Sequence, residues 1–389
     1  MKRNITFSEA LEKYPEFPKF TILKLDLYRR GTTYSDAVVK EYGEHPGPII
    51  LRDGTSVLTF PAQGKPDPYV IDYYNGGLGI FYDGEFVEEA DFCPVPEFRG
   101  NKTSSGMEME RVGMYRPQRL DLWAYRFCHY WKGGNQCKFC SINMLANTRL
   151  KTGRGYELDV SDIRETVAEA LKEPGRFSMI TVTGGADPDG DEPFDNELNR
   201  YINVLQAIGE NFKSERFPSQ IVCCAMSKKQ LKRLYNETGI LSYCPDIEVW
   251  DREKFNWICP GKEKFRGYDN WIRSMIDAVE LFGPCNVCTN IVAGCEMAEP
   301  YGFKTIDEAL KSNLEGAEFL AKNGVAMLGL VWSPSRGSVF QDQKQPPLEY
   351  YLRLAKGLHD IRKSYGIRVD TDDYKHCGNH GDSDLSRID

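Results

Sequence analysis

Apolar runs of strand length alternate with helical patterns six times between Leu120 and Gly366. In each helical pattern the apolar residues recur at intervals of three and four, whereas the runs between the patterns are short and continuous. The strands are predicted at residues 120–125, 179–182, 220–225, 246–250, 286–292 and 325–331. Strict alternation requires a parallel sheet with right-handed crossovers, and six units are too few for a closed eight-fold barrel. The pattern therefore predicts an open doubly wound sheet or a partial barrel, with the active site at the carboxyl ends of the strands.

The residues before this pattern form a separate zone. Residues 5–42 are mostly helical in pattern, and short extended pieces separated by turn residues follow them. The segment from Leu78 to Val87 contains Asp83-Gly84 and is predicted to be a β-hairpin. We expect a small α+β extension here, and it contains no motif of catalytic or binding chemistry.

Charge and cysteine content narrow the class of protein. The chain carries 49 Lys and Arg against 57 Asp and Glu, so its net charge is −8, and an acidic chain does not favour nucleic-acid phosphates. The N-terminus lacks the apolar stretch of a secretory signal, and no run approaches the ~18 apolar residues of a membrane span. We expect a cytoplasmic protein with no nucleic-acid or membrane partner. In that compartment its 12 cysteines serve as metal ligands, catalytic thiols or small core residues.

Three of the cysteines lie on one loop directly after the first predicted strand. Eight residues separate Cys128 from Cys137, two separate Cys137 from Cys140, and Gly133 and Gly134 lie in the longer interval. Three soft thiolates suit an iron–sulfur cluster or zinc. Because three protein ligands leave one metal position open, the arrangement favours a catalytic site over a closed structural one.

This loop resembles the cluster-binding loop of the radical S-adenosylmethionine (SAM) superfamily. In that family three cysteines after the first strand hold a [4Fe–4S] cluster, and the fourth iron binds the amino and carboxylate groups of SAM. Phe139 stands at the aromatic position that precedes the family's last cysteine. The first interval of eight residues departs from the common interval of three, although lengthened intervals occur in some branches.

Two further segments resemble SAM-binding segments of the family. Gly184 and Gly185, after the second strand, are similar to its Gly-Gly-Glu segment, with Ala186 in place of the acid. Gly294 and Glu296, after the fifth strand, are similar to its adenine-binding segment. Without the resemblance, the glycines are ordinary turn residues and Glu296 is a solvated acid.

Two charged residues extend the resemblance to a particular branch. Glu248 lies on the predicted fourth strand, where biotin-synthase-like members place a polar residue that touches SAM. Arg266 resembles the arginine that pairs with the SAM carboxylate, a role that suits a guanidinium. The spacing of the two favours the branch that contains biotin synthase and the hydrogenase-maturation and thiazole-synthesis proteins. Otherwise Glu248 is a surface acid and Arg266 a solvated side chain.

The resemblance covers roughly residues 120–331 and implies a (βα)6 partial TIM barrel, a [4Fe–4S] cluster and SAM. It also implies an anaerobic enzyme with flavodoxin or ferredoxin as electron donor. Reduction of the cluster cleaves SAM to methionine and a 5′-deoxyadenosyl radical, which removes hydrogen from a small-molecule or carrier-bound substrate. The reaction that follows stays open between sulfur insertion, a lyase step and a rearrangement. No Asp-x-His-x-x-Gly segment indicates a cobalamin domain.

We therefore expect three parts in the chain. Residues 1–115 form the α+β extension, residues 116–335 form the radical SAM partial barrel, and residues 336–389 form a C-terminal helix and tail that close the barrel.

Two alternatives to this function belong to other classes. A non-catalytic iron–sulfur or zinc protein, acting in electron transfer or as a scaffold, could pair Cys137 and Cys140 with Cys285 and Cys288, although Cys128 would then be unused. A zinc hydrolase on a related barrel is the second alternative.

Other polar segments are weaker candidates. Cys223, Cys224 and Cys288 lie on strands and could hold a second iron–sulfur cluster, or they are small core residues. The tail over residues 374–382 contains two His and one Cys, which suit a metal site or a cap over the substrate cavity, or it is a plain tail. The loop over residues 332–338 could hold an anionic group, but a plain connecting loop is favoured.

Overall fold

The structure is a computed structural model that describes residues 5–44, 46–57, 62, 67–144 and 157–368. The tail over residues 374–382, for which a metal site or a cap is predicted, lies outside the described residues. No helix within the described ranges is long and apolar enough to cross a membrane.

The N-terminal extension contains helices and a sheet of six short strands. Asp83 and Gly84 both have positive φ and connect two antiparallel strands, which confirms the predicted hairpin. This geometry is that of a type I′ turn. The sheet order is β1-β4-β5-β6-β2-β3. The elements are α1 (Phe7–Lys13), α2 (Lys19–Arg30), β1 (Thr32–Tyr34), α3 (Asp36–Tyr42), β2 (Ile49–Leu51), β3 (Ser56–Val57), β4 (Tyr69–Tyr74), β5 (Gly77–Tyr82) and β6 (Glu85–Phe92).

Parallel strands separated by helices follow the extension, as predicted. The strands are β7 (Gly113–Tyr115), β8 (Arg119–Tyr125), β9 (Met179–Gly184), β10 (Phe217–Val222), β11 (Ile240–Cys244), β12 (Cys288–Ala293) and β13 (Ala326–Val331). The helices are α4 (Met109–Val112), α5 (Val160–Ala170), α6 (Asp195–Gly209), α7 (Lys228–Glu237), α8 (Arg252–Ile258), α9 (Pro260–Phe265), α10 (Tyr268–Phe282), α11 (Ile306–Lys322) and α12 (Leu348–Tyr365). The strands β8 to β11 pair in parallel in chain order, β12 pairs with β13 in parallel, and β7 adds an antiparallel edge. The mixed α/β architecture with a curled parallel sheet is confirmed.

The fourth strand lies earlier than predicted. It is β11, whereas residues 246–250 are an extended segment that meets β12 at an isolated bridge between Glu248 and Ile291. Pro245 has no N–H to donate and ends the ladder of β11. Glu248 has a φ of +68°, which interrupts regular strand geometry. In the described part of the chain, the parallel strands therefore form hydrogen-bonded groups of four and two, joined by such bridges.

Local capping chemistry explains where the helices begin. The sequence predicts Ser227 as an N-cap and a capping box from Thr305 to Glu308, and in the structure both residues form reciprocal capping boxes. Ser161 stands before an amphipathic helical run, and the sequence therefore predicts it as an N-cap. This prediction is wrong, because α5 begins at Val160. The Asp159 carboxylate is the cap, and it accepts from the Ser161 backbone N–H at 2.8 Å.

The extension shares its core with the α/β part. Helix α2 packs against α12 and β13, and the buried apolar residues of both parts belong to one continuous cluster. The extension is therefore fixed against the last strand and the last helix of the parallel sheet.

Candidate functional site

The three cysteines of the loop follow the carboxyl end of β8. Cys128 follows β8 by three residues, and Cys137 and Cys140 follow a 3₁₀ turn over His129–Gly133. Cys128 and Cys137 are each 9% exposed, and Cys140 is half-buried. The thiols are close enough that the pKa values of Cys128 and Cys140 respond to the charge of Cys137. The three cysteines therefore lie on one loop beside the end of β8, and their role as metal ligands stays a prediction.

Asn143 fixes the start of the loop against its end. Its Oδ1 accepts from the Cys128 backbone N–H at 2.8 Å, and its Nδ2 donates to the Cys128 carbonyl at 3.0 Å. The side chain is 4% exposed, so both hydrogen bonds are shielded from water. The sequence analysis missed this residue because a single asparagine beyond the last cysteine belongs to no motif.

Gly184 and Gly185 bring the end of β9 against the start of the cysteine loop. The Gly185 N–H donates to the Tyr125 carbonyl at 2.9 Å. A Cβ on Gly185 would lie 2.2 Å from the Phe127 carbonyl oxygen, so backbone atoms exclude any side chain there. Glycine thus has a packing role at this position, and its predicted contact with SAM stays a prediction.

The segment over residues 258–261 holds the other side of the loop. Its Ile258 carbonyl accepts from the Lys138 N–H, and its Gly261 N–H donates to the Asn135 carbonyl, both at 2.9 Å. Gly261 permits this approach because a Cβ there would lie 2.6 Å from the Asn135 carbonyl oxygen. The cysteine loop is therefore held between β9 and the junction of α8 with α9.

The chemistry of the three thiols fits an iron–sulfur cluster. Burial, together with the neighbouring Cys137, raises the pKa of Cys128 to about 12, and the same causes raise the pKa of Cys140 above its usual range. Thiols in these surroundings keep their protons unless a cation stabilises the thiolates. Iron supplies that positive charge, and three adjacent cysteines are ligands that it favours. Phe139, between two of the ligands, is half-buried against the core.

A buried ion pair borders the cysteine loop. Lys262 Nζ lies 2.9 Å from Glu248 Oε1 and also donates to the Asp246 carbonyl. Burial raises the pKa of Glu248, although Lys262 opposes the shift. Burial alone would lower the pKa of Lys262, but the charge of the neighbouring Glu248 carboxylate outweighs it and the pKa is raised. The alternative of Glu248 as a surface acid is wrong, since its side chain is 14% exposed.

Arg266 is placed between two loops at the carboxyl end of the sheet. Its half-buried guanidinium donates to the Pro193 carbonyl and to Gln230 Oε1, each at 3.0 Å. These hydrogen bonds connect the residues before α6 to the first turn of α7. The cation that pairs with Glu248 is Lys262, which the sequence analysis missed because a lysine within a short helix carries no motif. Binding of SAM by Arg266 stays a prediction.

Gly294 and Glu296 follow β12, and Glu296 is fully engaged by hydrogen bonds. It is 2% exposed and accepts from the Gly294 N–H at 2.8 Å, from Asn313 Nδ2 at 2.9 Å and from the Tyr350 hydroxyl. These bonds connect the turn after β12 to α11 and α12. The alternative of a solvated acid is therefore wrong, and the predicted adenine contact of these two residues stays a prediction.

Glu197, which the sequence analysis did not select, joins the loops that follow β9 and β10. Its carboxylate accepts from the backbone N–H groups of Asp187 and Cys224, both at 2.9 Å. The residue is 2% exposed, and burial raises its pKa to about 7 against the effect of those hydrogen bonds. The only sequence signal was an acid among the first residues of an amphipathic helix.

The raised pKa of Glu197 predicts a pH-dependent loss of stability. A carboxyl with a higher pKa in the folded state binds more protons when folded. The free energy of unfolding therefore falls as the pH rises from the usual pKa of a glutamate side chain towards the raised pKa of about 7. In Glu197→Gln we expect the free energy of unfolding to decrease less between about pH 5 and about pH 8, by up to about 3 kcal/mol. Urea unfolding of both proteins at the two pH values measures this difference. Glu85→Gln, at an exposed position of β6, should keep the wild-type slope. If Glu197→Gln also keeps it, Glu197 does not titrate in this range.

His129, Asp187 and Asp189 form a polar cluster beside the first cysteine. His129 Nδ1 lies 3.1 Å from Asp187 Oδ1 and 3.4 Å from Asp189 Oδ2, and Arg200 Nη2 donates to Asp187 Oδ2 at 3.1 Å. Their ligand atoms are close enough together to hold a metal ion. However, these polar groups already satisfy one another, and a cationic guanidinium occupies one side of the cluster. We interpret it as a hydrogen-bonded network that supports the cysteine loop.

The cysteines considered for a second cluster are divided between two cores. Cys223 and Cys224 belong to the main core, and the Cys224 thiol lies 3.5 Å from the Tyr130 hydroxyl. Cys288 interacts with Cys244 in a separate small core. A second iron–sulfur cluster therefore stays a prediction.

No family model matches the chain. A curated relative is bacteriochlorophyllide c C-7(1)-hydroxylase from Chlorobaculum limnaeum. It is 22% identical over 360 residues, which cover 90% of this chain and 86% of the relative.

Three solved structures are similar to the chain at low sequence identity. Methylornithine synthase is 18% identical with a TM-score of 0.43, over 70% of this chain and 79% of its own. A radical SAM methyltransferase from Sphaerobacter thermophilus is 14% identical with a TM-score of 0.44, over 94% of this chain and 93% of its own. Coproporphyrinogen III oxidase from Escherichia coli, described as a radical SAM enzyme, is 14% identical with a TM-score of 0.41, over 68% of this chain and 58% of its own.

The resemblance of the cysteine loop to the radical SAM superfamily stays a prediction at these identities, and so does the reaction on a substrate. The curated relative spans nine tenths of this chain at 22% identity, and membership of this chain in the radical SAM superfamily is a proposal that rests first on its cysteine loop.

Proposed function

We propose that Cys128, Cys137 and Cys140 hold a [4Fe–4S] cluster and that SAM binds at its open iron. When bound, these groups supply the one-electron cleavage of SAM to methionine and a 5′-deoxyadenosyl radical. The observation that carries this proposal is the placement of three cysteines, two buried and one half-buried, on one loop at the carboxyl end of a parallel strand. The enzyme then removes a hydrogen atom from a small-molecule or carrier-bound substrate.

The charged groups beside the loop suit the amino-acid part of SAM. That part carries an ammonium and a carboxylate, and the pair of Glu248 and Lys262 offers the two complementary charges in a buried place. We assign this pair to the amino-acid part, together with Arg266. Gly184 and Gly185 lie at and just after the end of the neighbouring strand, and we assign them to the methionine amine of SAM.

The remaining predicted positions complete the assignment. We assign Gly294 and Glu296 to the adenine side of SAM and Phe139 to packing against the cluster. The cluster requires one electron for each turnover, so we propose a small redox protein of the flavodoxin or ferredoxin class as the donor. A (βα)6 partial barrel and the cytoplasm are the expected scaffold and location.

The reaction after hydrogen removal has several candidates. Sulfur insertion, a lyase step and a rearrangement all begin with the same abstraction from a C–H bond. The curated relative, by its name, hydroxylates bacteriochlorophyllide c at C-7(1), which adds hydroxylation as a candidate for this chain. These reactions are distinguished by the product, whereas the cleavage of SAM is common to all of them.

Cleavage of SAM by the reconstituted protein tests the proposal. The chain is loaded with iron and sulfide without oxygen, given dithionite and SAM, and assayed for 5′-deoxyadenosine. We expect the wild type to form it and Cys128→Ala to give background only, because one cluster ligand is missing. The matched control is Cys93→Ala, a cysteine 5% exposed in the extension, which should behave as the wild type.

Two results would contradict the proposal and favour an alternative. A loaded cluster that forms no 5′-deoxyadenosine in the wild type would favour a non-catalytic iron–sulfur protein. Zinc without iron or sulfide in protein purified without oxygen would favour a zinc protein, either structural or hydrolytic.

A further inference from the structure

A layer of polar side chains lies on the concave face of the parallel strands. Gln220 of β10 donates from Nε2 to the Cys288 sulfur of β12 at 3.5 Å, although β11 lies between these two strands. Side chains of strands that are not neighbours meet on the concave face of a curled sheet, because those on the convex face diverge. Asn290, two residues after Cys288, shares this face, and so does Thr181, which pairs with Gln220 in register.

Asp246 places a carboxylate in this layer, and uncharged groups hold it there. Its Oδ1 accepts from the Asn290 backbone N–H at 3.1 Å, from Asn290 Nδ2 at 2.8 Å and from the Cys244 thiol at 3.2 Å. Lys262 forms its ion pair with Glu248 and donates to the backbone carbonyl of Asp246. Within the described ranges, no Lys, Arg or His pairs with the half-buried Asp246 carboxylate, so a cationic ligand would stabilise it.

Two buried polar atoms of the layer have unused hydrogen-bonding capacity. Thr181 is 4% exposed and Asn290 is 0% exposed. Neither the Thr181 hydroxyl nor Asn290 Oδ1 has a hydrogen-bond partner among the residues that the structure describes. Because carboxylate and amide oxygens accept hydrogen bonds, the group that complements this layer is a donor.

Towards the carboxyl ends of the strands, the same face is less buried and mostly aliphatic. Thr181, Gln220, Asn290 and Leu328 are buried, whereas the residue two positions after each of them is half-buried. These half-buried residues are Thr183, Val222, Val292 and Leu330. A small molecule that reaches the polar layer from this end therefore passes between aliphatic side chains.

We propose that this face binds a small aliphatic primary amine as the substrate, with its ammonium at Asp246 and Asn290. Its alkyl chain lies between Val222, Val292 and Leu330. An ammonium carries three N–H donors and a positive charge, which suit both the carboxylate and the unpaired oxygen. The inference rests on the proposed function, because only hydrogen removal makes the bound amine a substrate.

Binding of 1-aminobutane to the cluster-loaded protein, with SAM and without a reductant, tests the inference. We expect saturable binding in titration calorimetry, and at least about tenfold weaker binding of 1-butanol, which has the same chain without the charge. Asp246→Asn keeps the shape of the side chain and should also weaken binding of the amine at least about tenfold. The matched control is Asp91→Asn, at an exposed position of β6, which should bind the amine as the wild type does.

The outcomes separate this inference from the function beneath it. Absent or equal binding of the amine and the alcohol by the wild type overturns the inference, and this comparison does not require that Asp246→Asn folds. Unchanged amine binding in Asp246→Asn, or weaker binding of SAM in its place, also overturns it. A wild type that binds the amine but forms no 5′-deoxyadenosine from SAM contradicts the proposed function and leaves the amine site in place.

Discussion

Lys262→Met is expected to lower the free energy of unfolding by about 3–5 kcal/mol at about pH 8, because it leaves the buried Glu248 carboxylate without its partner. Burial already raises the pKa of Glu248, and Lys262 is the group that lowers it. Without Lys262 the carboxyl takes up a proton at a higher pH. The loss should therefore be smaller at about pH 5, where Glu248 is neutral in the variant. Urea unfolding at both pH values measures the difference.

The double variant Glu248→Gln/Lys262→Met tests whether the cost comes from the unpaired charge. With both charges removed, most of the lost stability should return, and the pH dependence of the single variant should disappear. The matched control is Lys311→Met, which breaks an exposed pair with Glu315 on α11 and should change the stability by less than about 0.5 kcal/mol. An equal loss in the single and the double variant would show that packing of the lysine stem, and not charge, is the cause.

Gly185→Ala should displace the cysteine loop and abolish cluster binding. The added Cβ would lie 2.2 Å from the Phe127 carbonyl oxygen and 2.7 Å from the Cys128 nitrogen. Both are backbone atoms, so the chain that carries the first ligand must move. We expect the free energy of unfolding to fall by about 1–3 kcal/mol, as for other overpacked sites. We also expect the iron and sulfide content after reconstitution to fall to background.

A glycine in open surroundings provides the control for this substitution. A Cβ on Gly77, at the start of β5, would meet only the Tyr74 carbonyl oxygen at 3.9 Å, an ordinary contact. Gly77→Ala should keep both the stability and the iron content of the wild type. If Gly185→Ala also binds a full complement of iron, the close approach of β9 does not position the first cysteine.

Local patterns predicted much of the fold and part of the site. The helix caps at Ser227 and Thr305 and the hairpin at Asp83-Gly84 were predicted correctly because each depends on residues within one turn of the chain. The fourth strand was misplaced because two extended segments flank Pro245, and their composition alone does not show which of them pairs with β10. At Ser161 the competing cap, Asp159, lies only two residues away.

The sequence by itself determined the three thiols on one loop and the parallel strands that carry them. Ligand spacing and apolar periodicity are properties of neighbouring residues, so no knowledge of the fold is needed to recognise them. Only the tertiary structure decided what surrounds the loop, because each contact joins segments that are far apart along the chain. Gly185 packs against the backbone just before Cys128, and Lys262 forms an ion pair with Glu248. Two backbone hydrogen bonds hold the segment over residues 258–261 against the loop.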